Sequence, residues 1–456
     1  MRLEDAAKKL GELEQKMAAY DYAMGVLYCD GATAAPRGAT AGRGAAMALL
    51  SEQSHRLFAS DDAGELLEWL GGNAQDADPP LRRRVEILRE AYAKVRSVPV
   101  DEYVAFSVLR NESEAAWKKA KAESDYPSFE PYLSRILETL KRFARYYGPG
   151  RDPYEVWLDE HEKGLTRAAC EQFFAAVRGG LVPLIREISA VPKIDASPLI
   201  GSFPVERQRR LSAWAMQAMR IDPERSAIGE TEHPFTSGLN RNDVRITTHY
   251  YEDSIMPALY STIHEGGHAL YELGCNPAYA DTCIAGPRST SIHESQSRFF
   301  ENYIGRSRAF IAFLLPKLRE LFPETFGQMG AEALYRMANR AEPSLIRIEA
   351  DELTYSLHIM ARYELEKMLF DGALSTKDLP EAWNGMYREY LGIEPPDDAR
   401  GVLQDTHWSG GMMGYFPSYS LGSAYAAQML AAMEKDIDVF GCAGRGELGP
   451  IVEWLG

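Results

Sequence analysis

Two histidines and a glutamate near the middle of the chain have the types and the spacing of a metal-dependent hydrolase site. His264 and His268 lie four residues apart, so on a helix both imidazoles share one face, about 40° apart around the axis. Two neutral imidazoles in this arrangement can bind one Zn²⁺ at roughly 2.0–2.1 Å. Glu265, beside the first histidine, can then take a proton from a water at that metal. The alternative is a helix with two surface histidines.

A zinc site also needs a third protein ligand, and Glu294 is the candidate. Apolar side chains at helical spacing follow it, and Ser289 or Ser291 can cap this second helix. We expect Glu294 in the first turn, where the alternative is a carboxylate favoured by the helix dipole. Metal-bound imidazoles usually donate their other N–H to a carboxylate or a carbonyl. Glu301, further along the same helix face, is predicted to accept such a bond, the alternative being an exposed acidic residue.

The histidine pair is predicted to lie on a helix that ends near Gly274, because apolar residues around it recur at helical spacing. Gly266 and Gly267 interrupt this helix, each at about 1 kcal/mol relative to alanine. A glycine pair inside a helix indicates that a neighbouring element packs very close to the backbone there.

The clearest strand in the chain lies just before this helix, at residues 243–250. Val244 and Ile246 alternate with Arg245 and Thr247, which is typical of a strand with one buried face. As an edge strand it could bind an extended peptide through backbone hydrogen bonds. Ordinary sheet structure is the alternative.

Two later stretches carry polar groups that could line the same site. The pattern predicts one long helix from Pro343 to about Phe370, in which Arg347 and Asp351 could form an ion pair one turn apart. A segment rich in glycine and aromatic residues follows at 401–419, and a loop of packed aromatic rings is its alternative interpretation. Its candidate site residues are His407, Tyr415 and Tyr419.

The remaining segments read as helices that would have to position these groups. Residues 1 to about 190 show successive amphipathic helices, the pattern continues over 204–220, and it resumes at 309–319 and 331–339. No internal repeat is present, which favours one helical fold over an array of repeats.

The composition excludes several classes of function. A net charge of −16, with no basic stripe, argues against a nucleic-acid-binding protein. No uninterrupted apolar run approaches the length of a membrane span, so none is expected. Five cysteines without a CxxC pair favour a reducing compartment and argue against a disulfide framework. Together these features predict a soluble cytoplasmic protein.

Six motifs together resemble the carboxypeptidase Taq family of metallocarboxypeptidases, and weaker similarity covers most of the chain. The motifs are His264-Glu-Gly-Gly-His268, His293-Glu-Ser-Gln-Ser-Arg298, His233-Pro-Phe235, Asp243-x-Arg245-x-Thr247, Ile346-Arg347-x-x-Ala350-Asp351 and Gly401-x-x-Gln404-Asp405-x-His407-Trp408. One departure is the turn Cys29-Asp30-Gly31, where such proteins tend to carry Trp-Asp-Gln.

The resemblance implies a mainly α, two-lobed fold with a deep active-site groove and a small β-sheet near the metal helix, similar to angiotensin-converting enzyme and neurolysin. It implies one domain over residues 1–456, a homodimer, and peptides as substrates, with no nucleic-acid or membrane partner. One divalent metal ion per chain, Zn²⁺ with Co²⁺ as the second choice, would be held by His264, His268 and Glu294.

The expected activity is hydrolysis of the C-terminal peptide bond, with Glu265 as general base. His407 and Tyr419 are the candidates for stabilising the oxyanion, with Tyr415 as the substitute for Tyr419. An exopeptidase must also bind a terminal carboxylate, which calls for a fixed guanidinium group. Arg347 and Arg245 compete for that role, and His233 is a further candidate substrate contact.

Two other functions stay open on the sequence. An oligoendopeptidase on the same fold would use the same metal chemistry and differ only at the closed end of the groove. A helical peptide-binding scaffold without activity would be expected to lose a ligand or the general base, and all four of these residues are present.

Overall fold

The computed structural model describes residues 1–456, and 69% of them are helical, which confirms the predicted fold class. The helices before the sheet are α1 (Leu3–Thr33), α2 (Thr40–Phe58), α3 (Asp61–Asn73), α4 (Pro79–Ser97), α5 (Val100–Glu123), α6 (Tyr126–Tyr147), α7 (Pro153–His161), α8 (Arg167–Ser189) and α9 (Val205–Ala218). Several begin earlier than their apolar pattern because an aspartate caps them. Asp125, for example, accepts from the Ser128 N–H and starts α6 at Tyr126.

The strands are β1 (Ser226–Glu230), β2 (Thr236–Asn240) and β3 (Asp243–Thr248), and the order in the sheet is β1-β3-β2. The predicted strand is β3, which ends at Thr248 instead of Tyr250. Val244 and Ile246 are fully buried, as the alternation predicted, but Thr247 is buried as well, so the alternation fails at that residue. Of the two interpretations left open, the edge strand is wrong and ordinary sheet structure is correct. β3 pairs with β1 in parallel and with β2 in antiparallel orientation, so both of its backbone edges are occupied.

The helices after the sheet carry the metal-site motifs and complete the fold. They are α10 (Met256–Gly274), α11 (Thr290–Arg298), α12 (Arg308–Leu321), α13 (Pro323–Phe326), α14 (Ala331–Ala338), α15 (Glu352–Asp371), α16 (Leu379–Leu391), α17 (Pro417–Met433), α18 (Val439–Arg445) and α19 (Gly449–Leu455). A π-helical segment, Phe299–Gly305, extends α11 directly.

The predicted long helix from Pro343 is wrong at its start. Arg347–Glu349 form a single turn, Ala350 is extended, and α15 begins at Glu352. Asp351 caps α15 by accepting from the N–H groups of Leu353 (2.9 Å) and Thr354 (3.1 Å). Its carboxylate therefore faces the helix backbone instead of Arg347, and the proposed intrahelical ion pair does not form.

Two large hydrophobic cores agree with the two-lobed prediction. The first is built from residues 98–185 and 355–416, and the second from residues 196–338 and 426–451. A small third core joins α1 to α4. The chain thus passes from the first lobe to the second, back to the first and again to the second.

One helix, α8, is long and apolar enough to cross a membrane if length and composition alone are considered. Core helices pass the same test, so this is weak evidence. Here α8 packs along α15, with Cys170 and Phe174 buried in the first core.

Candidate metal centre

The side chains of the predicted metal ligands His264, His268 and Glu294 point to one place in the structure. The Nε2 atoms of His264 and His268 lie 3.8 Å and 3.3 Å from the same oxygen, Oε2 of Glu294. All three ligand atoms lie within 4.8 Å of one another. Ligands of a tetrahedral Zn²⁺ with bonds of about 2.0–2.1 Å stand about 3.3 Å apart. The donor set therefore fits one divalent ion with little rearrangement.

Close contact between α10 and α11 brings these ligands together. A Cβ atom on Gly267 would lie 2.6 Å from the carbonyl oxygen of Gln296, and one on Gly266 would lie 2.8 Å from Cε of Met219. Close packing against backbone therefore requires glycine at 267, as predicted, whereas the neighbour of Gly266 is the flexible end of a side chain. On the other side of α11, a Cβ on Gly422 of α17 would lie 2.8 Å from Cγ of Glu294.

The N-terminus of α11 is held from the other lobe. Ser289 is the cap, and its Oγ accepts from the Ile292 N–H at 3.0 Å. Glu162, which follows α7, accepts from Ser289 Oγ (2.7 Å) and from the Ser291 N–H (2.9 Å). Glu294 is the fifth residue of α11, so its expected place in the first turn was wrong. The helix dipole alone consequently explains its position less well.

Glu301 reaches a metal ligand, as predicted. Its Oε2 lies 2.9 Å from Nδ1 of His264, which leaves Nε2 of that ring free for a metal. Arg298 was not predicted as part of the site. Its Nε donates to Oε1 of Glu294 at 2.8 Å, which directs the other oxygen, Oε2, toward the histidines. The spacing of Glu294 and Arg298, one helix turn apart, was the available signal.

The charges of the site favour the ligating forms of Glu294 and His268. Burial lowers the pKa of His264, but the neighbouring carboxylates of Glu294 and Glu301 outweigh burial and raise that pKa, which favours the protonated ring. Burial would raise the pKa of Glu294, but the Arg298 guanidinium and the two histidines together outweigh burial and hold that pKa well below the usual range. Burial lowers the pKa of His268, which favours the neutral imidazole. Nδ1 of His268 is buried without a hydrogen-bond partner, and the His293 ring stacks on the His268 ring at 4.4 Å.

Glu265, the predicted general base, is buried beside the ligands with 7% of its surface exposed. Thr236 on β2 donates its hydroxyl to Oε2 of Glu265 at 2.8 Å and lies 2.9 Å from the Glu265 carbonyl oxygen. The sheet therefore contributes a side chain that fixes Glu265, the predicted general base. No spacing in the sequence indicated this contact, because it depends on the pairing of β2 with β3.

The three ring residues of the 401–419 segment form one cluster. Nε2 of His407 lies 3.3 Å from the Tyr419 hydroxyl, and the Tyr415 ring packs edge-on against Tyr419 at 5.2 Å. Burial lowers the pKa of His407 to about 3, so the ring is neutral at neutral pH. Burial, together with the charge of Glu294, raises the pKa of Tyr415 to about 12. Burial likewise raises the pKa of Tyr419, so both phenols keep their protons.

Arg347 lies against this cluster, with its guanidinium 5.0 Å from the centre of the Tyr419 ring. Its Nε and Nη2 donate to Oδ1 of Asp405 at 3.1 and 2.8 Å, and its Nη1 donates to the Tyr355 hydroxyl at 3.3 Å. The Tyr355 ring in turn packs under Arg298, 3.9 Å away, which links Arg347 to the metal site.

Two predicted substrate contacts lie apart from this cluster. Arg245 pairs with Asp243 through Nη2 at 2.9 Å, its side chain is 42% exposed, and Tyr22 of α1 donates to the same carboxylate. His233 is exposed, and its carbonyl oxygen accepts a hydrogen bond from the Thr231 hydroxyl at 2.9 Å.

The comparisons with known proteins agree with this geometry. The family model described as carboxypeptidase Taq (M32) metallopeptidase matches residues 9–456. Carboxypeptidase 1 of Bacillus subtilis (strain 168) is 39% identical over 457 residues, covering 100% of this chain and 91% of that protein. Thermostable carboxypeptidase 1 of Thermus thermophilus is 38% identical, covering 96% and 89%.

Solved structures separate the two enzymatic alternatives. The carboxypeptidase of Pyrococcus furiosus superimposes with a TM-score of 0.96 at 34% identity, covering 100% of this chain and 92% of that one. A structure titled as a putative oligoendopeptidase F reaches only 0.52 at 13% identity, a likeness of fold alone. This chain belongs to the carboxypeptidase Taq (M32) family of metallopeptidases, and it is a metallocarboxypeptidase that hydrolyses peptide bonds.

Proposed function

We propose that the enzyme removes C-terminal residues from peptides with one Zn²⁺ held by His264, His268 and Glu294. The convergence of two Nε2 atoms on Oε2 of Glu294, with Glu265 adjacent, carries this proposal. Two imidazoles and one carboxylate are the donors of catalytic zinc sites in peptidases, whereas Co²⁺ accepts the same donors and is the second choice. When bound, the ion supplies Lewis acidity to the scissile carbonyl and lowers the pKa of water.

The side chains around the metal position have separable tasks. Glu265, fixed by Thr236, takes a proton from the attacking water and later delivers it to the leaving amine. His407 and Tyr419 stabilise the developing oxyanion, and Tyr415 is the substitute for Tyr419. Because both phenols stay protonated, either one can donate a hydrogen bond at neutral pH.

The free carboxylate of the substrate is assigned to Arg347. Its side chain is 7% exposed and is held by Asp405, so it can offer a fixed guanidinium in a partly dehydrated site. Its hydrogen bond to Tyr355 is the longest of its three at 3.3 Å and is the one that a carboxylate would replace most easily. Arg245 is the competing assignment, because its guanidinium is more accessible.

The decisive experiment uses the metal-loaded enzyme and one defined peptide in two forms, a free acid and a C-terminal amide. Mass spectrometry of the products is expected to show stepwise loss of single residues from the free acid and slow cleavage of the amide. Equal cleavage of both forms at internal bonds would replace this proposal by an oligoendopeptidase. Metal analysis of the purified protein is expected to give about one zinc ion per chain, and zinc at trace level would contradict the metal assignment.

We also propose a cytoplasmic homodimer that acts on peptides and has no nucleic-acid or membrane partner. All five cysteines are free, which fits a reducing compartment. Exposed valines recur every fourth residue along α5 and offer an apolar row to a second copy: Val100, Val104 and Val108. Light scattering of the native enzyme tests the dimer, and the Val104→Asp variant is expected to shift it toward monomer. A monomeric wild type would contradict the proposal.

A further inference from the structure

A second arginine, Arg362, is buried behind the proposed carboxylate site and shares a partner with Arg347. Arg362 lies on α15 with no exposed surface. Its Nε and Nη2 bond Oδ2 of Asp405 at 2.7 and 2.5 Å, while Arg347 holds Oδ1. A single carboxylate therefore bridges two guanidinium groups.

The remaining donors of Arg362 are all used by the protein. Nη1 donates to the His358 carbonyl oxygen at 2.7 Å and lies 3.5 Å from the Tyr387 hydroxyl, and Nη2 donates to Oε1 of Gln404 at 2.8 Å. The Trp383 ring covers the guanidinium at 4.5 Å. Arg362 consequently has no N–H to offer a substrate, and any role in binding must act through another residue.

Arg347, Arg362 and Asp405, which are in direct contact, carry one net positive charge. Burial lowers the pKa of His407 to about 3 and lowers that of His358 well below its usual value, so both rings are neutral. Glu366, one turn further along α15, is turned to Trp408, Gly414 and Tyr154, and burial raises its pKa to about 7. Asp405 is thus the only carboxylate in contact with either guanidinium.

A buried charge destabilises the folded protein unless an opposite charge is paired with it. If Asp405 faced Arg347 alone, the pair would be neutral and would gain little from a substrate carboxylate. With Arg362 on the other oxygen, Asp405 is already neutralised, and Arg347 keeps a charge that a second carboxylate can satisfy. No carboxylate other than Asp405 contacts Arg347, whereas a peptide C-terminus would bring one.

We propose that Arg362 is a positioning residue that neutralises Asp405 and thereby reserves the charge of Arg347 for the terminal carboxylate of the peptide. The inference rests on the assignment of that carboxylate to Arg347. It makes the preference for free-acid peptides a property of the bridged arrangement Arg347–Asp405–Arg362 instead of a property of one arginine.

The test measures kcat/KM for one peptide as free acid and as C-terminal amide, and the ratio of the two values is the readout. Arg362→Met keeps the length of the side chain without its charge, and it is expected to lower the ratio at least tenfold, mainly through KM of the free acid. Arg362→Lys restores the charge and is expected to keep the ratio within about threefold of wild type. Metal content is expected to stay unchanged in both, because Arg362 does not contact the ligands.

The double variant Arg362→Met/Asp405→Asn distinguishes charge from structure. Removing both charges leaves Arg347 with a free charge again, so the ratio is expected to rise above that of Arg362→Met alone. A double variant with a ratio equal to or below that of the single variant would overturn the inference, as would an unchanged ratio in Arg362→Met. If Arg362→Met does not fold, the same comparison is made between Arg362→Lys and Arg362→Lys/Asp405→Asn, where the ratio is expected to rise and a fall would count against it.

The outcome for the proposed function is read separately. A wild type that shows no preference for the free acid would remove the carboxypeptidase mechanism together with this inference. A wild type that prefers the free acid and loses this preference in Arg347→Ala, but not in Arg362→Met, would remove the role of Arg362 alone.

Discussion

The two carboxylates nearest the metal position have different surroundings, and these predict different consequences of substitution. Glu294 directs one oxygen to both histidines, while Glu265 bonds Thr236 and lies beside the ligands. Glu294→Ala should therefore weaken metal retention, whereas Glu265→Gln should retain metal and lose about two to four decades of kcat. Metal analysis after dialysis, with turnover measured in parallel, checks both expectations. Wild-type turnover in Glu265→Gln would show that the general base is a different residue.

The carboxylate assignment predicts a selective loss. Arg347→Ala should lower kcat/KM for free-acid peptides by about one and a half to four decades, since a buried charged partner is worth roughly 2–5 kcal/mol. Amidated peptides, which are poor substrates already, should lose little more. Arg245→Ala is the matched control, because Arg245 pairs with Asp243 away from the metal ligands. The opposite pattern in the two variants would transfer the role to Arg245.

At the scale of single residues, the sequence indicated the predicted metal ligands but not the residues that hold the site residues in place. His264, His268, Glu294 and Glu301 share helix faces, and regular spacing shows which side chains meet on one element. Thr236 comes to Glu265 from a strand, and Arg362 reaches Asp405 from another segment of the chain. Contacts of this kind depend on tertiary packing, which has no fixed spacing in a sequence.

The element that positions the ligands is the close-packed pair α10 and α11, and its glycines give a structural prediction. Gly267→Ala places a Cβ 2.6 Å from backbone atoms of Gln296 and Ser297, which cannot move aside as a side chain can. We expect a loss of about 1–3 kcal/mol in the free energy of unfolding and weaker metal binding. Gly274→Ala, on the same helix with nothing within 4 Å, is the control and should be neutral. Denaturant unfolding and metal titration measure both effects, and equal behaviour of the two variants would contradict the packing argument.

The sequence predicted which segments form helices and which form a strand, but not which elements pack beside each other. Alternation identified β3, yet the pattern was the same whether the strand lay at an edge or in the centre. The predicted helix from Pro343 failed because helix-forming residues continue through Ala350, while Asp351 gains two backbone hydrogen bonds by capping α15. A capping residue starts a helix only when the backbone before it is extended. The periodicity of apolar residues does not show whether that backbone is extended.

At the scale of the whole molecule, buried neutral histidines predict how stability depends on pH. Burial lowers the pKa of His358 below its value of about 6.5 in the unfolded chain. Below that pH the unfolded state binds a proton that the folded state does not, so the free energy of unfolding falls as pH falls. The loss for one such group is about 1.4 kcal/mol per pH unit below 6.5.

The free energy of unfolding of His358→Gln should therefore fall less steeply below pH 6.5 than that of the wild type. The difference in unfolding free energy between the two proteins is expected to change in favour of the variant by about 1 kcal/mol between pH 7.5 and pH 5.5. Urea unfolding at the two pH values measures it. The exposed His55→Gln variant is the control and should parallel the wild type. A constant difference between His358→Gln and wild type across this range would show that His358 binds protons equally in the folded and the unfolded state.

The prediction of a single domain over residues 1–456 remains a prediction, and the interleaved cores support it. Each large core takes residues from two separated stretches of the chain, so no single cut releases a complete lobe. Glu162 of the first lobe also holds the N-terminus of α11 in the second. One cooperative unfolding transition is expected by calorimetry, and two resolved transitions would contradict it.

The same interleaving has a consequence for synthesis on the ribosome. The helices α5 to α8 leave the ribosome before α15 and α16, which cover their apolar faces in the folded protein. The stretch between Ser189 and Glu352 must be translated before α15 is available. At about 5–20 residues per second, this takes roughly ten to thirty seconds. During that interval the apolar surface of the nascent first lobe stays exposed to solvent. Exposed apolar surface of this kind aggregates unless a chaperone protects it. The chain is therefore expected to depend on chaperone protection early in translation, and slower codons placed before α15 should lower its soluble yield.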